Sequence, residues 1–468
     1  MSHRQTMTTE QGLRPRYGAS ARSARSFPQR GVVLVVVLWV LAILVILTWG
    51  LAATVQTEAR LVSHLSESAR YLESARAGVV VAFRELQDTD LAVVSPFTIP
   101  THLSSEDKGI VLRGGEFKVN IEDESGKLNL NYTTEETLAK LTEDPDLAAA
   151  IIDWRDQDDT PASGGAENLY YLGLPDPYLA RNNFFRTVDE ILLVRGMTSE
   201  RYYQSILGKP PLANLLTVYS VDENVDRGGQ ARLNLNDASE SDLEERLGDV
   251  LNQQEITAIA SYRAESSQRR GDESGTAVPG APTPRQIPGG AEEETSPSSA
   301  GSTGGGENRK RFGTVGNLLS VPGLSREKVR KIADRVTTSD EQLVPGRVNI
   351  NTADEAVLAS LPGMDAAISR NFTAYREGED GPFDDVGEVL ELDSITPEVY
   401  RQIADLITVG STAFRITSSG LREESATRET VECVVTMVRS NLRRQSSEGD
   451  AAQGSSRPQI IRYYRHRQ

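Results

Sequence analysis

The sequence predicts an α+β fold: one long N-terminal helix packed on a small antiparallel sheet, with a large inserted all-α region. Three observations predict it. A charge-free apolar run near the N-terminus continues without proline into an amphipathic stretch. Alternating, strand-like segments sit at both ends of the chain that follows. Helical patterns in three related copies fill the middle.

The N-terminal helix comes first. Residues 1–31 carry six arginines (Arg4, Arg14, Arg16, Arg22, Arg25 and Arg30) against one acid, Glu10. They stop at Gly31, and Val32 opens the apolar run with no spacer. A secretory signal has its small-residue cleavage site after the apolar core, so this leader is of another kind. From Val32 to Val55 there is no charge, and few residues, Thr48, Trp49, Gly50 and Thr54 among them, interrupt the aliphatics. That is long enough to span a bilayer core, which needs roughly 20 residues. With the arginines before it and Glu58 after it, the positive-inside rule puts residues 1–31 in the cytoplasm and the main domain outside. An uncleaved signal anchor would satisfy the hydropathy equally well. From Gln56 to Gln87 apolar residues (Val62, Leu65, Ala69, Leu72, Val79, Phe83, Leu86) recur at three- and four-residue spacing. One helix of over fifty residues follows, either a free stalk or coiled coil, or a helix whose distal half packs on a sheet.

Composition bounds the rest. The chain has 468 residues, 38% of them apolar, enough for two or three domains. Its net charge is −17 despite the basic leader. Acidic surfaces repel nucleic acid and favour divalent cations. The single cysteine, Cys433, cannot form an internal disulfide. Four scattered histidines give little material for a His-based metal site or a Ser/His triad, and no nucleophile–base pair assembles.

Strand signals lie at 110–121, around Gly114-Gly115, and again at 412–417, 429–438 and 459–464. Residues 265–310 are rich in Gly, Pro, Ser, Glu and Thr and read as a disordered linker; 442–458 reads as a loose hairpin loop. Between the strands an internal repeat recurs: Gly126-Lys-Leu-Asn-Leu-Asn131, Ala231-Arg-Leu-Asn-Leu-Asn236 and Gly346-Arg-Val-Asn-Ile-Asn351. Each copy precedes a helix, starting near Thr134, Ser239 and Ala353, with acids in its first turn. The third copy continues to Leu361-Pro-Gly-Met364 and resembles a helix-hairpin-helix module, whose turn often presents amides to a DNA phosphate. The acidic stretch 377–393 argues against that use, because DNA affinity comes largely from Lys and Arg.

The richest chemical cluster is 153–168. Counting from Asp156 as position 1, Asp158 is position 3, Thr160 is 5 and Glu167 is 12, the ligand spacing of a calcium loop. Pro161 at position 6, where an EF-hand has Gly, limits the match to chemistry rather than fold. The alternative is an acidic loop with helix-capping aspartates. The calcium candidates are Asp156, Asp158 and Glu167.

Taken in order, five stretches resemble the type II secretion system minor pseudopilin K family: Gln29-Arg-Gly-Val32 with its apolar run, Ile121–Asn131, Asp153–Asp159, Gly165-Ala-Glu167 and Thr187–Met197. The resemblance implies a pilin-like fold with a helix-hairpin-helix (SAM-like) insertion and calcium in the insert. It implies assembly with the other minor pseudopilins at the filament tip, and no enzymatic activity. It makes Gly31 the residue after which a prepilin peptidase cuts and Val32 the methylated new N-terminus. Most pilins carry Glu at mature position 5; here that position is Val36, as suits a cap with no subunit above it.

The expected organisation is a leader (1–31), a transmembrane helix (32–55), its exported part (56–88), the first part of the sheet (89–125), an inserted helical domain (126–264 and 311–410) split by the 265–310 linker, and C-terminal strands (411–468). The expected place is the inner membrane, single-pass, with a periplasmic main domain and no nucleic acid bound. The alternative is a membrane-anchored helix-hairpin-helix protein that binds DNA for uptake. The chain departs from the family in an additional repeat (231–263) and in the linker.

Overall fold

The computed structural model describes residues 30–110, 112, 115–205, 208–265, 311–422, 428–437 and 458–467. The expected leader up to residue 29, the linker from 266 to 310 and the loop 442–457 lie outside the described residues. The chain divides into two units, Met1–Ser66 and Glu67–Gln468.

The first helix, α1, runs Arg30–Asp88. From 33 to 66 every side chain on it is exposed. From Val33 to Val55 it is apolar all round, and α1 is long and apolar enough to cross a membrane.

In the second unit, residues 67–88 of α1 are followed by β1 (His102–Ser104) and β2 (Glu116–Asp123). The first repeated unit then holds β3 (Leu128–Asn129), α2 (Glu135–Thr142), α3 (Pro145–Arg155), α4 (Asn168–Leu172), α5 (Ser199–Tyr203), α6 (Leu212–Leu215) and β4 (Leu216–Thr217). After β5 (Val221–Glu223) comes the second unit of the repeat: β6 (Leu233–Asn234), α7 (Glu240–Leu247), α8 (Gln253–Glu265), α9 (Arg326–Ile332) and β7 (Val336–Thr337). Strand β8 (Leu343–Pro345) leads to the third: β9 (Val348–Asn349), α10 (Glu355–Ser360), α11 (Ala366–Arg376), α12 (Pro397–Ile403) and β10 (Ile407–Thr408). The chain returns through β11 (Ala413–Leu421), β12 (Arg428–Met437) and β13 (Pro458–Arg467).

The main sheet has the order β1-β2-β11-β12-β13, antiparallel throughout. Strands β2 and β11 are neighbours in register from Asp123↔Phe414 to Glu116↔Leu421, so everything from 124 to 412 is inserted between two adjacent strands. Of the strand pair expected around Gly114-Gly115, residues 111, 113 and 114 lie outside the described residues. Its second member is β2, but β2 pairs with 102–104. Lys108, Gly109 and Ile110 donate to the carbonyls of Ser104, Glu106 and Ser105, which closes a turn before residue 110.

Each repeated unit is sealed by a two-stranded parallel ladder: β3 with β4, β6 with β7, β9 with β10. Strands β5 and β8 pair antiparallel and bracket the second unit from both sides. The 265–310 segment therefore falls inside the second unit, between α8 and α9. Capping follows the sequence signals, with Thr134, Ser239 and Asp354 accepting from the first-turn amides of their helices.

The distal part of α1 lies on the sheet through small residues. Ala75 and Ala82 are fully buried with Leu86, against Phe117, Val119, Ile121, Phe414 and Ile416. A Cβ on Gly78 would overlap the Ser418 hydroxyl, and one on Gly420 would overlap the Tyr71 carbonyl oxygen. Helix and strand backbones thus approach closely enough that only glycine fits at 420. Gly420→Ala should cost about 1–3 kcal/mol, the range for overpacking a filled core, read as a lowered denaturation midpoint of the full chain in detergent; an unchanged midpoint would contradict this packing.

Candidate metal centre

Helix α3 ends in Asp153-Trp154-Arg155, with Asp156 as its C-cap. The chain then loops out and returns at Glu167, the N-cap of α4, whose side chain makes no capping hydrogen bond. Asp153, Asp156 and Glu167 each offer an oxygen, and these lie within 4.8 Å of one another. Asp153 and Glu167 are buried, 1% and 3% exposed; Asp156 is half-buried.

Of the three residues picked from the sequence, Asp156 and Glu167 are in this cluster. Asp158 is exposed and turned to its own loop, where its Oδ1 accepts from Thr160 N–H at 2.8 Å. Asp153 completes the cluster. The position count began at Asp156 and so passed over it, although a spacing of three puts both aspartates on one helix face. Gly31 and Val32 lie in the first turn of α1.

The loop is tightly held. Asp153 accepts from Ala162 N–H at 3.2 and 3.3 Å, and a Cβ on Gly165 would overlap the Asp153 carboxylate. The Arg195 guanidinium donates to the Gly165 carbonyl at 2.8 Å and lies over the Tyr170 ring. Asn168 and Asn182 both donate to Asp159 Oδ1.

The carboxylates themselves are poorly satisfied. Among the described residues, no donor reaches Asp156 Oδ1 or either oxygen of Glu167, and none of the three is in an ion pair. The neighbouring guanidinium, on Arg155, is directed to the Leu130 and Thr133 carbonyls. Burial, then the charges of Asp158 and Asp153, push Asp156 up to about 6. Burial, then Asp156 and Asp153, push Glu167 up to about 7. Burial likewise raises Asp153. Three converging carboxylates, two of them with oxygens that no donor among the described residues reaches, are the donor set of a hard divalent ion, so the residues fit calcium.

In two other acid-lined openings among the described residues, basic side chains pair with carboxylates. The cavity lined by Asp222, Glu223, Asp226 and Asp334 holds about 20 Å³, room for one water. Asp222 and Asp334 pair there with Arg232, Asp222 also with Arg347, and Asp226 with Arg246. A larger opening of about 280 Å³ lies between the sheet and the first unit. Its Glu122 and Glu432 are held by Lys127 and Arg415.

Groups with raised carboxylate pKa values contribute stability that is present below the ordinary carboxylate range and is lost as pH rises through the folded values. Without divalent cations, the cluster should therefore weaken the fold as pH rises from about 4 through about 7. Asp156→Asn should raise the melting temperature of chelator-treated protein at neutral pH and leave it unchanged at about pH 4; a lower melting temperature at neutral pH would show the carboxylates are not in conflict.

Comparison with known proteins places these features. Residues 128–205 match the family described as type II secretion system (T2SS), protein K. Residues 346–408 match the helix-hairpin-helix motif. The chain is 29% identical over 205 residues to type II secretion system protein K of Aeromonas hydrophila, covering 37% of this chain and 61% of the relative. It is 25% identical over 198 residues to the Klebsiella pneumoniae protein of the same name, covering 37% and 60%. The matches thus span about three-fifths of these relatives. A crystal structure of the GspK-GspI-GspJ complex from the type 2 secretion system of enterotoxigenic Escherichia coli aligns with a TM-score of 0.44 and 12% identity, over 88% of this chain and 99% of that one.

Proposed function

We propose, from the protein K domain that residues 128–205 carry, that this chain is a non-enzymatic minor pseudopilin of a type II secretion system. It starts or caps the tip of the periplasmic pseudopilus, with other minor pseudopilins as neighbours. Helix α1 anchors it in the inner membrane with the arginine-rich end cytoplasmic, and a prepilin peptidase cuts after Gly31 and methylates Val32. The observation that carries this reading is the protein K domain set between adjacent strands of a sheet on which one long apolar helix packs. Val36, where a filament subunit would carry Glu, supports a place at the tip.

DNA binding fits less well. Arg326 is spent on the carbonyls of Leu390, Leu392 and Ile395, and Lys328, Arg330 and Arg335 are paired with Glu255, Glu391 and Asp249. Few basic side chains remain near the hairpins to neutralise phosphates.

Intact mass of the full chain, expressed with and without a prepilin peptidase, tests the assignment. Loss of residues 1–31 with gain of one methyl group, only when the peptidase is present, is the expected result. Gly31→Leu should abolish it. A full-length product in both cases would make α1 a plain signal anchor.

We further propose that Asp153, Asp156 and Glu167 bind Ca²⁺ structurally. The ion would relieve the repulsion that raises these carboxylates. Calcium at about 100 times its dissociation constant should stabilise the chain by about 2.7 kcal/mol, read as a melting temperature that falls on chelation. No shift between calcium and EDTA would remove the claim.

A further inference from the structure

The three repeated units share one clamp. In the first, Asn131 grips Phe185 from both sides: Nδ2 donates to the Phe185 carbonyl at 3.0 Å, and Oδ1 accepts from Phe185 N–H at 2.7 Å. Asn236 does the same to Phe312, at 3.2 and 2.6 Å, and Asn351 to Phe383, at 2.9 and 2.9 Å. An arginine closes the other side. Arg155 donates to the carbonyls of Leu130 and Thr133. Arg263 donates to Leu235 and Ala238, and Arg376 to Ile350 and Ala353. These are the same positions of the motif each time.

The clamp spans one connection, from the arginine that ends the second helix to the phenylalanine. In the first unit that connection is 156–184, which carries Asp156 and Glu167. In the third it is 377–382, which carries no converging carboxylate set among the described residues. The repeat thus separates the clamp, which is common, from its cargo, which is not.

We propose that Asn131 and Arg155 are the positioning residues of the metal centre, a proposal that rests on the calcium reading above. Arg155 precedes Asp156 and pins the end of α3 to residues 130–133. Asn131 pins the return at Phe185 to the same short segment. Both ends of the acidic loop are thereby fixed within four residues of each other, and Asn182 N–H ties the loop to the Trp154 carbonyl at 3.0 Å. Glu167 is carried by that loop, whereas Asp153 and Asp156 belong to α3 and its cap. Their oxygens converge because the clamp sets where the loop leaves and returns. Groups that orient metal ligands without touching the metal typically control affinity 10–100-fold.

The repeat supplies its own control. Arg155→Lys and Arg376→Lys each replace a guanidinium that donates to two carbonyls, from Nη1 and Nη2 in Arg155 and from Nη1 alone in Arg376, by a single ammonium. Full-length chain in detergent is titrated with Ca²⁺ against a competing chelator, with melting temperature recorded alongside. Arg155→Lys should weaken calcium binding by about tenfold or more, and Arg376→Lys by less than about twofold, although both lower the melting temperature. Asn131→Ala, which removes both contacts to Phe185 without adding a charge, is the second lesion if Arg155→Lys does not fold; Asn351→Ala is its control. Unchanged affinity in the first-unit variants, or equal weakening by the third-unit variants, would overturn the positioning role. Wild-type protein that binds no calcium would instead remove the metal reading itself, and this proposal with it.

Discussion

The fold depends on one buried carboxylate. Asp123 ends β2 at the point where the insertion begins, and it accepts four hydrogen bonds. Ser125 N–H and the Ser411 hydroxyl donate to Oδ1; Asn349 Nδ2 and the Thr352 hydroxyl donate to Oδ2. The donors come from the entry of the insertion, its exit and its third unit. Burial pushes the Asp123 carboxyl up, and the four hydrogen bonds oppose that shift. A long insertion between paired strands is tolerated when its ends meet, because closure entropy rises only slowly with length; the pairing of β2 with β11 brings them together, and Asp123 ties them to each other. The next residue extends the joint. Burial alone would raise Glu124, but Lys127 and then Arg415 overcome it and hold the carboxyl at about 2. Lys127 belongs to the first repeat motif and Arg415 to β11, so sheet and insertion share one charge network.

The same logic is nested once more. Strands β5 and β8 bring together the two ends of the second unit, as β2 and β11 do for the whole insertion. The basic residue of each motif copy marks these joints: Lys127 pairs with Glu122 and Glu124, Arg232 with Asp222 and Asp334, and Arg347 with Asp222. A unit added this way leaves the pairing around it undisturbed. That is how the chain accommodates a second unit between the segments matching protein K and the helix-hairpin-helix motif.

Much of this was legible in the sequence because it is periodic. The long helix, the strand alternation at both ends and the three Asn motifs are local patterns, and the helix caps at Thr134 and Ser239 follow from them. What was not legible is pairing over distance. Nothing near Gly114 signals that β2 pairs with 102–104, since three residues carry too little alternation to read as a strand. The second unit was split at residue 265 because composition changes there, whereas Asn236 and Phe312 join across that change. The carboxylate cluster is half legible. Loop spacing pointed to Asp156 and Glu167, but Asp153 joins them from the preceding helix, and Asp158 is spent on an exposed turn.

The measurement that most directly tests this account is amide hydrogen exchange on the full chain in detergent, comparing wild type with Asp123→Asn. An amide at this position replaces one acceptor oxygen with a donor, in a site that four donors already fill. If Asp123 binds the insertion to the sheet, exchange should rise together in residues 346–353 and 411–421, segments far apart in sequence that this carboxylate joins. Unchanged protection in either segment would show that sheet and insertion are held by other contacts, and that Asp123 is a bystander at the joint.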